Sequence, residues 1–271
     1  MTTDFGVEAV LERLGCPLHY WLLGSHDDLP FVVFMHGAGI DHRVWAPQVA
    51  AFSVGYRVLT MDLRGHGLSR PAGDFAFARL VDDSFALLDA VGAERVILIG
   101  LSMGGNVAQE MVFRKPDRFA ALVCVDCTCN TLTPWWDRAT LPIYQALIGP
   151  ALRAYPRRQL LEGIAKRTSL TPEGRRYVFE ASDQLTNTET AQVMKALLAA
   201  LHHEPGYRVM IPELLVRGSD DKLGNIRQVM PAWRARDLQS DLVVLPNAGH
   251  VSNLDNPEAF NSRVLDWLNR P

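Results

Sequence analysis

The 271-residue sequence has no apolar stretch close to the roughly 20 residues that a membrane-spanning helix needs. Its first residues do not combine a basic segment with an apolar one, so neither a signal peptide nor a membrane partner is expected. An excess of one charge is also missing, since 27 Lys and Arg residues face 30 Asp and Glu residues. Without a basic run, the chain offers no surface for nucleic acid. We expect a soluble cytoplasmic protein.

Cysteine is scarce, with four residues in the whole chain. Three of them lie close together as Cys124, Cys127 and Cys129, and a Cys-x-x-Cys spacing also occurs in metal and redox sites. No second pair of ligands is present, and in a strand Cys124 and Cys127 would point to opposite faces. A structural zinc ion needs four converging ligands. We therefore predict buried free thiols and no metal site.

Strand and helix patterns alternate along most of the chain. An antiparallel strand pair is predicted between Val7 and Leu23. Further apolar strands are predicted at Phe31–Met35, Arg57–Met61, Arg95–Ile99, Ala120–Val125, Glu213–Val216 and Leu242–Leu245. The clearest helical patterns are Arg79–Val91, Asn106–Arg114, Asn225–Ala235 and Pro257–Leu268. This alternation predicts an α/β fold with a mostly parallel, eight-stranded sheet and helices on both faces.

The segment from about 130 to 207 interrupts this alternation, because it contains helical patterns but no strand candidate. We interpret it as a helical cap inserted into a core made of residues 1–129 and 208–271. Such an insertion would pack over the carboxyl ends of the strands, where open α/β folds bind ligands. Trp135 and Trp136 are candidates for lining an apolar substrate pocket. They are also candidates for the cap's own small core.

The most informative motif is Gly100-Leu101-Ser102-Met103-Gly104. It follows an apolar strand and precedes a helical pattern, which is the context in which G-x-S-x-G forms a sharp turn that presents a nucleophile. The glycines on either side of Ser102 allow a strained backbone there. We predict that Ser102 is a catalytic nucleophile.

A nucleophilic serine needs a base, and the base needs an acid that orients it. His250 lies on a loop directly after the last strand, so it is expected at the same sheet edge as Ser102. Three carboxylates compete for the role of acid. Asp221 and Asp220 follow one strand, and Asp126 ends another. We favour Asp221 as the acid and keep Asp220 and Asp126 as alternatives. The carboxylates that are not the acid would have roles in a turn or at a helix cap.

The tetrahedral intermediate of acyl transfer needs hydrogen-bond donors for its oxyanion. The amide of Met103 follows the nucleophile directly and is one candidate. The second candidate is the amide of Ala38, in the His36-Gly37-Ala38-Gly39 loop after a strand. His36 is expected to hold this loop by hydrogen bonds.

Together these features resemble the α/β-hydrolase superfamily, over nearly the whole chain. The matching motifs are His36-Gly37-Ala38-Gly39, Asp62-Leu63-Arg64-Gly65-His66-Gly67-Leu68-Ser69, Gly100-Leu101-Ser102-Met103-Gly104-Gly105, Gly218-Ser219-Asp220-Asp221, and Ala248-Gly249-His250 through Asp255-Asn256-Pro257-Glu258. The resemblance implies that the acid is Asp221 and that the cap is the segment near 130–207. The Gly-Leu-Ser-Met-Gly-Gly form is similar to the enol-lactone hydrolase, carboxylesterase and cofactor-free haloperoxidase branch. Haloalkane dehalogenases and epoxide hydrolases, which use an aspartate at the position of Ser102, are disfavoured.

The sequence thus predicts a serine hydrolase that cleaves a small-molecule carboxylic ester or lactone and needs no cofactor. Three other reactions use the same residues: cleavage of a carbon–carbon bond, perhydrolysis, and cleavage of an amide. A receptor that only binds a small molecule is a further alternative, which the intact Ser, His and Asp set disfavours. The natural substrate and the oligomeric state are not encoded in any recognisable motif.

Overall fold

Eight strands form one sheet. The computed structural model describes residues 3–24, 28–133 and 135–270, without the side chains of residues 135–138. The strands in chain order are β1 (Val7–Arg13), β2 (Cys16–Leu23), β3 (Phe31–Met35), β4 (Arg57–Met61), β5 (Val96–Leu101), β6 (Phe119–Val125), β7 (Glu213–Gly218) and β8 (Ser240–Leu245). Their spatial order is β1-β2-β4-β3-β5-β6-β7-β8.

The sheet is mostly parallel. Only β1 with β2 and β2 with β4 pair in antiparallel fashion, and the other neighbours from β4 to β8 are parallel. The predicted eight-stranded, mostly parallel sheet with an antiparallel pair at its start is therefore confirmed. Since parallel strands share one direction, the loops after β3, β5, β6, β7 and β8 all leave from the same edge.

At their carboxyl ends, two strands extend further than their apolar runs predict. β5 continues past Ile99 because Leu101 still pairs with Val125 of β6. β7 likewise continues to Gly218, which pairs with Leu245 of β8. The backbone ladder requires only N–H and C=O groups, so it passes through glycine residues at which the apolar pattern stops.

Helices cover both faces of the sheet. In chain order they are α1 (Ala46–Phe52), α2 (Phe77–Ala90), α3 (Met103–Arg114), α4 (Trp135–Ala154), α5 (Arg157–Thr168), α6 (Pro172–Ser182), α7 (Asn187–Leu198), α8 (Ile226–Arg236), α9 (Ser252–Asp255) and α10 (Pro257–Leu268). Buried residues of α2, α3 and α8 form one apolar cluster, and those of α1 and α10 belong to another. Along β3, Val33 and Met35 belong to the first cluster, whereas Val32 and Phe34 belong to the second. This period of two confirms that both faces are covered.

Helix α3 begins at Met103, earlier than the predicted start at Asn106. Glycine is a poor helix former, so the sequence pattern places the start of the helix after Gly104 and Gly105. In the structure only glycine fits at position 104, because a Cβ there would lie 2.3 Å from the carbonyl oxygen of Met35. Close packing of α3 on β3 therefore overrides helix propensity.

Helices α4 to α7 occupy the segment between β6 and β7, and its described residues contain no strand. Helix α4 packs on α7, and α5 packs on α6. Several polar contacts tie these helices to the rest of the chain, and two of them come from α6 and α7. The Tyr177 hydroxyl donates to the Asp41 carbonyl at 2.9 Å, and Arg70 pairs with Glu189 at 2.6 Å. We call α4–α7 the cap helices below. Across the described part of the chain, no helix has the length and apolar character needed to cross a membrane.

Candidate active site

Ser102 lies at the turn between β5 and α3 and has a backbone conformation that is unusual for a residue with a side chain. Its φ is 52° and its ψ is −118°. The turn is anchored by the Ser102 amide, which donates to the Val125 carbonyl at 2.8 Å. A Cβ at Gly100 would lie 2.4 Å from the carbonyl oxygen of Gly104, so only glycine fits there. The strained turn therefore aims the serine side chain away from the sheet.

His250 connects Ser102 to Asp221. Its Nε2 atom lies 2.9 Å from Ser102 Oγ, and its Nδ1 atom lies 3.0 Å from Asp221 Oδ2. The other carboxylate oxygen of Asp221 accepts a hydrogen bond from the Leu223 amide at 2.9 Å. The structure thus brings together the three residues that the sequence analysis selects, on loops after β5, β7 and β8.

The carboxylates of the two alternative acids are hydrogen-bonded to groups other than the imidazole. Asp126 is fully buried, and its carboxylate accepts hydrogen bonds from the amides of Gly218 at 2.8 Å and Ser252 at 3.0 Å. Asp220 is exposed, and it accepts a hydrogen bond from the Ser219 hydroxyl at 2.7 Å. Asp126 therefore bridges the loops that carry the acid and the histidine, while Asp220 points to solvent.

Burial and charge act in opposite directions on His250. Burial lowers its pKa, but the hydrogen bond and charge of Asp221, assisted by the charge of Asp126, raise the pKa above the ordinary imidazole value. Burial and the negative charge of Asp221 raise the pKa of Asp126 to about 7. The pair Asp221 and His250 is therefore arranged to stabilise a positive charge on the imidazole.

The amides of Ala38 and Met103 are near the serine. Met103 is the first residue of α3, where an amide has no acceptor within the helix. The loop that carries Ala38 passes close to the nucleophile, because a Cβ at Gly37 would lie 3.2 Å from Ser102 Cβ. Ala38 and Ser102 line the same cavity, whereas the Met103 side chain is buried in the core. The role of both amides as donors to an anion at the serine stays a prediction.

His36 supports the loop that carries Ala38, as the sequence suggests. Its Nδ1 atom donates to the Gly37 carbonyl at 2.8 Å, and its Nε2 atom accepts from the Leu63 amide at 2.9 Å. Burial lowers the pKa of His36, so the neutral ring that this pattern requires is favoured. Both ring nitrogens are engaged, which leaves no nitrogen for catalysis.

A cavity of about 570 Å³ opens in front of Ser102. Its lining is largely apolar and includes Leu160, Ile164, Val193, Met194 and Leu197 of the cap helices. The sequence analysis missed these residues, because each has the ordinary spacing of a helix that packs on its neighbours. Trp135 and Trp136, the pocket residues that it selected, have side chains outside the described residues. Their role as pocket residues stays a prediction.

The cysteines do not contribute to this site. All four are free and buried, as expected. Within residues 3–24, 28–133 and 135–270, no group of three or more His, Cys, Asp and Glu side chains is arranged to hold a metal ion.

Comparison with known proteins agrees with this fold. The model of a family described as the alpha/beta hydrolase family matches residues 32–263. The chain is 28% identical to 3-oxoadipate enol-lactonase 1 of Acinetobacter baylyi over 253 residues, which cover 93% of this chain and 92% of that protein. It is 27% identical to the putative carbamate hydrolase RutD of Pseudomonas savastanoi pv. phaseolicola over 256 residues, which cover 90% and 96% of the two chains.

Solved structures show the same similarity. The enol-lactonase from Burkholderia xenovorans superposes with a TM-score of 0.83 at 25% identity, and the match covers 97% of this chain and 100% of that one. An esterase from Thermogutta terrifontis superposes with a TM-score of 0.81 at 23% identity, covering 97% and 98%. The second similarity is one of fold alone.

Proposed function

The chain belongs to the alpha/beta hydrolase family, and we propose that it is a serine hydrolase that cleaves a carboxylic ester or lactone through an acyl-enzyme on Ser102. One observation carries the proposal. Hydrogen-bond distances run without interruption from Asp221 through His250 to a serine that lines a cavity. The similarity to two enol-lactonases supports the choice of an ester-type bond.

In the proposed reaction, His250 Nε2 takes the proton of Ser102 Oγ as this oxygen attacks the substrate carbonyl. Asp221 accepts the hydrogen bond from Nδ1, which keeps the imidazole in the required tautomer and stabilises it once it is charged. The protonated histidine then gives its proton to the leaving alkoxide, and the acyl group stays on Ser102. Water activated by the same nitrogen releases the acid.

The negative charge of the tetrahedral intermediate would be held by the amides of Ala38 and Met103. Removing one such donor costs about 3–4 kcal/mol of transition-state stabilisation in comparable enzymes. The positive end of α3 points at the same place and adds a favourable field. These donors are main-chain groups, so they are already oriented before the substrate arrives.

The cavity favours an apolar acyl group or lactone ring. A volume of about 570 Å³ is in the range of pockets that enclose small organic ligands. Among the described residues that line the cavity, Arg167 is the only Asp, Glu, Lys or Arg, so this lining has no array of charged residues that would bind a highly charged substrate. We therefore expect p-nitrophenyl esters of intermediate chain length to be better substrates than the acetate.

A series of p-nitrophenyl esters and simple lactones tests the proposal, with fluorophosphonate labelling of the serine as a second readout. Turnover of at least one ester, together with labelling that is lost in Ser102→Ala, supports it. A folded wild-type protein that neither hydrolyses any member of the series nor reacts with the fluorophosphonate would contradict it.

Carbamate cleavage is the second candidate, because several of the similar proteins are named putative carbamate hydrolases. The same serine would attack the carbonyl of a carbamate ester, His250 would protonate the departing alkoxide, and a carbamoyl group would stay on Ser102 until water releases it. Including a carbamate of the same size as the best ester separates the two. A larger kcat/KM for the carbamate would favour the second candidate.

A further inference from the structure

The main chain of His250 is bonded to the cap helices. The carbonyl oxygen of Thr168, the last residue of α5, accepts hydrogen bonds from the amides of His250 at 2.8 Å and Val251 at 3.1 Å. The preceding residue is Gly249, and a Cβ there would lie 2.8 Å from the same carbonyl oxygen. The histidine loop and the end of α5 are therefore in direct contact, with no space for a larger residue.

Asp255, at the end of α9, strengthens this contact. Its Oδ2 atom accepts hydrogen bonds from the amide of Gly249 at 2.8 Å and from that of Leu170 at 3.0 Å. Its Oδ1 atom accepts from the hydroxyl of Ser169 at 2.6 Å and from that of Thr171 at 3.3 Å. One carboxylate thus joins the residue before His250 to the α5–α6 junction, residues 169–171.

The other two residues of the proposed triad are held differently. The amide of Ser102 bonds to β6 through Val125, and the amide of Asp221 bonds to Gly218 in its own turn. Of the three, only His250 has a main-chain amide bonded to a cap helix. The position of the proposed base therefore depends on the position of α5 and α6.

We propose that Asp255 is a positioning residue that couples the cap helices to His250 and so holds the imidazole in line with Ser102. This inference rests on the proposed function, since it concerns the base of that reaction. Asp255 touches neither the serine nor the imidazole, and it acts through the amide of Gly249. A displacement of about 1 Å at a catalytic group can lower a rate about 100-fold. Loss of the contacts of Asp255 should therefore have a measurable effect on the rate.

The test compares Asp255→Ala with Asp255→Asn. Alanine removes every acceptor and leaves the amides of Gly249 and Leu170 without their partner. Asparagine can place its oxygen at the position of Oδ2, while its amino group donates to the hydroxyl of Ser169, which has a further acceptor in the Thr171 carbonyl at 3.3 Å. We expect kcat of the alanine variant to fall about 10- to 100-fold at nearly unchanged KM, and the asparagine variant to restore most of the loss.

Arg70→Ala is the matched control. Arg70 also ties a cap helix to the core, through Glu189 of α7 and the Gln184 carbonyl, but it does not contact the histidine loop. If loosening the cap were sufficient, this variant would lose as much kcat as Asp255→Ala. We expect it to retain nearly the wild-type kcat, with any change confined to KM.

Amide hydrogen exchange provides a readout that does not depend on activity. Exchange should accelerate together in residues 168–171 and 249–251 of Asp255→Ala, but not in those of Arg70→Ala. Equal kcat in wild type and Asp255→Ala, or unchanged exchange in both segments, would overturn the inference. An inactive wild-type protein with the expected exchange pattern would instead contradict the proposed function and leave the coupling in place.

Discussion

The carboxylates of Asp126 and Asp221 share one buried site, and the charge of Asp221 helps to raise the pKa of Asp126 to about 7. Of the two, Asp221 is the one hydrogen-bonded to the imidazole of His250, at 3.0 Å. Asp126 instead accepts two main-chain hydrogen bonds, from Gly218 and Ser252. The two residues thus have separate tasks, and substitutions that keep the side-chain shape distinguish them.

Asp221→Asn should lower kcat by up to about 10⁴-fold, because the amide does not hold the imidazole in the productive tautomer. Asp126→Asn should cost on the order of tenfold, since it only disturbs one of two main-chain bonds behind the site. Steady-state kinetics on the best ester provide both numbers. If Asp126→Asn has the larger effect, the acid is Asp126 and Asp221 has only a role in its loop.

The activity should depend on the protonation of His250. Because the base must be neutral, kcat/KM should rise with pH through an apparent pKa above the ordinary imidazole value of about 6.5. Two carboxylates, Asp221 and Asp126, raise this pKa against the effect of burial, so Asp126→Asn should move the midpoint to lower pH. A profile that is flat between about pH 5 and 8 would show that another group is the base.

Two helical glycines should respond in opposite ways to alanine. In Gly104→Ala the new Cβ would meet the Met35 carbonyl oxygen at 2.3 Å, so we expect a loss of about 1–3 kcal/mol in the free energy of unfolding, or more. In Gly163→Ala of α5 the Cβ meets nothing within 4 Å, and a gain of about 0.5–1 kcal/mol is expected. Urea unfolding measures both. Equal effects would contradict the close packing of α3 on β3.

Part of this arrangement is predictable from the sequence, because it depends on local patterns. The strand before Ser102 and the strand before His250 place both residues at one sheet edge, whatever the rest of the chain does. The same argument places Asp126 and Asp221 there, and only side-chain direction distinguishes them. Direction depends on the turn after each strand, and the sequence pattern does not specify it.

The cap helices illustrate the opposite case. Ile164 and Val193 line the cavity, yet each fits the apolar spacing of a helix that packs on its neighbour. The orientation of a helix over the sheet depends on tertiary contacts such as that of Asp255 with the α5–α6 junction. These join residues about 85 positions apart in the chain, and no local pattern indicates them.

Glu213 is a buried carboxyl group outside the proposed active site, and the effect of burial on its pKa can be tested through the pH dependence of stability. Burial raises its pKa to about 8, and one carboxylate oxygen accepts a hydrogen bond from the Ser240 hydroxyl. In the unfolded chain a glutamate ionises near 4.3, so between about pH 4.5 and 8 only the unfolded state releases the proton. The protonated Glu213 therefore contributes to the free energy of unfolding at low pH, and this contribution is lost as pH rises through this range.

Glu213→Gln stays neutral at every pH and should escape this loss. Its melting temperature, relative to that of the wild type, should increase steadily from pH 5 to 8 and level off above pH 8. The neighbouring Asp237 and Arg236 are present in both proteins, so their contributions to stability cancel to a first approximation. A difference that does not change with pH would mean that Glu213 is ionised in the folded protein throughout the range.

The acyl-enzyme on Ser102 is the central claim, and mass spectrometry of the protein mixed rapidly with a p-nitrophenyl ester tests it most directly. We expect the intact mass to increase by one acyl group, the peptide that contains Ser102 to carry that group, and Ser102→Ala to show neither the adduct nor more than a small fraction of the wild-type turnover. An acyl group found on another residue, or a folded Ser102→Ala protein that retains more than about a tenth of the wild-type kcat, would contradict the account.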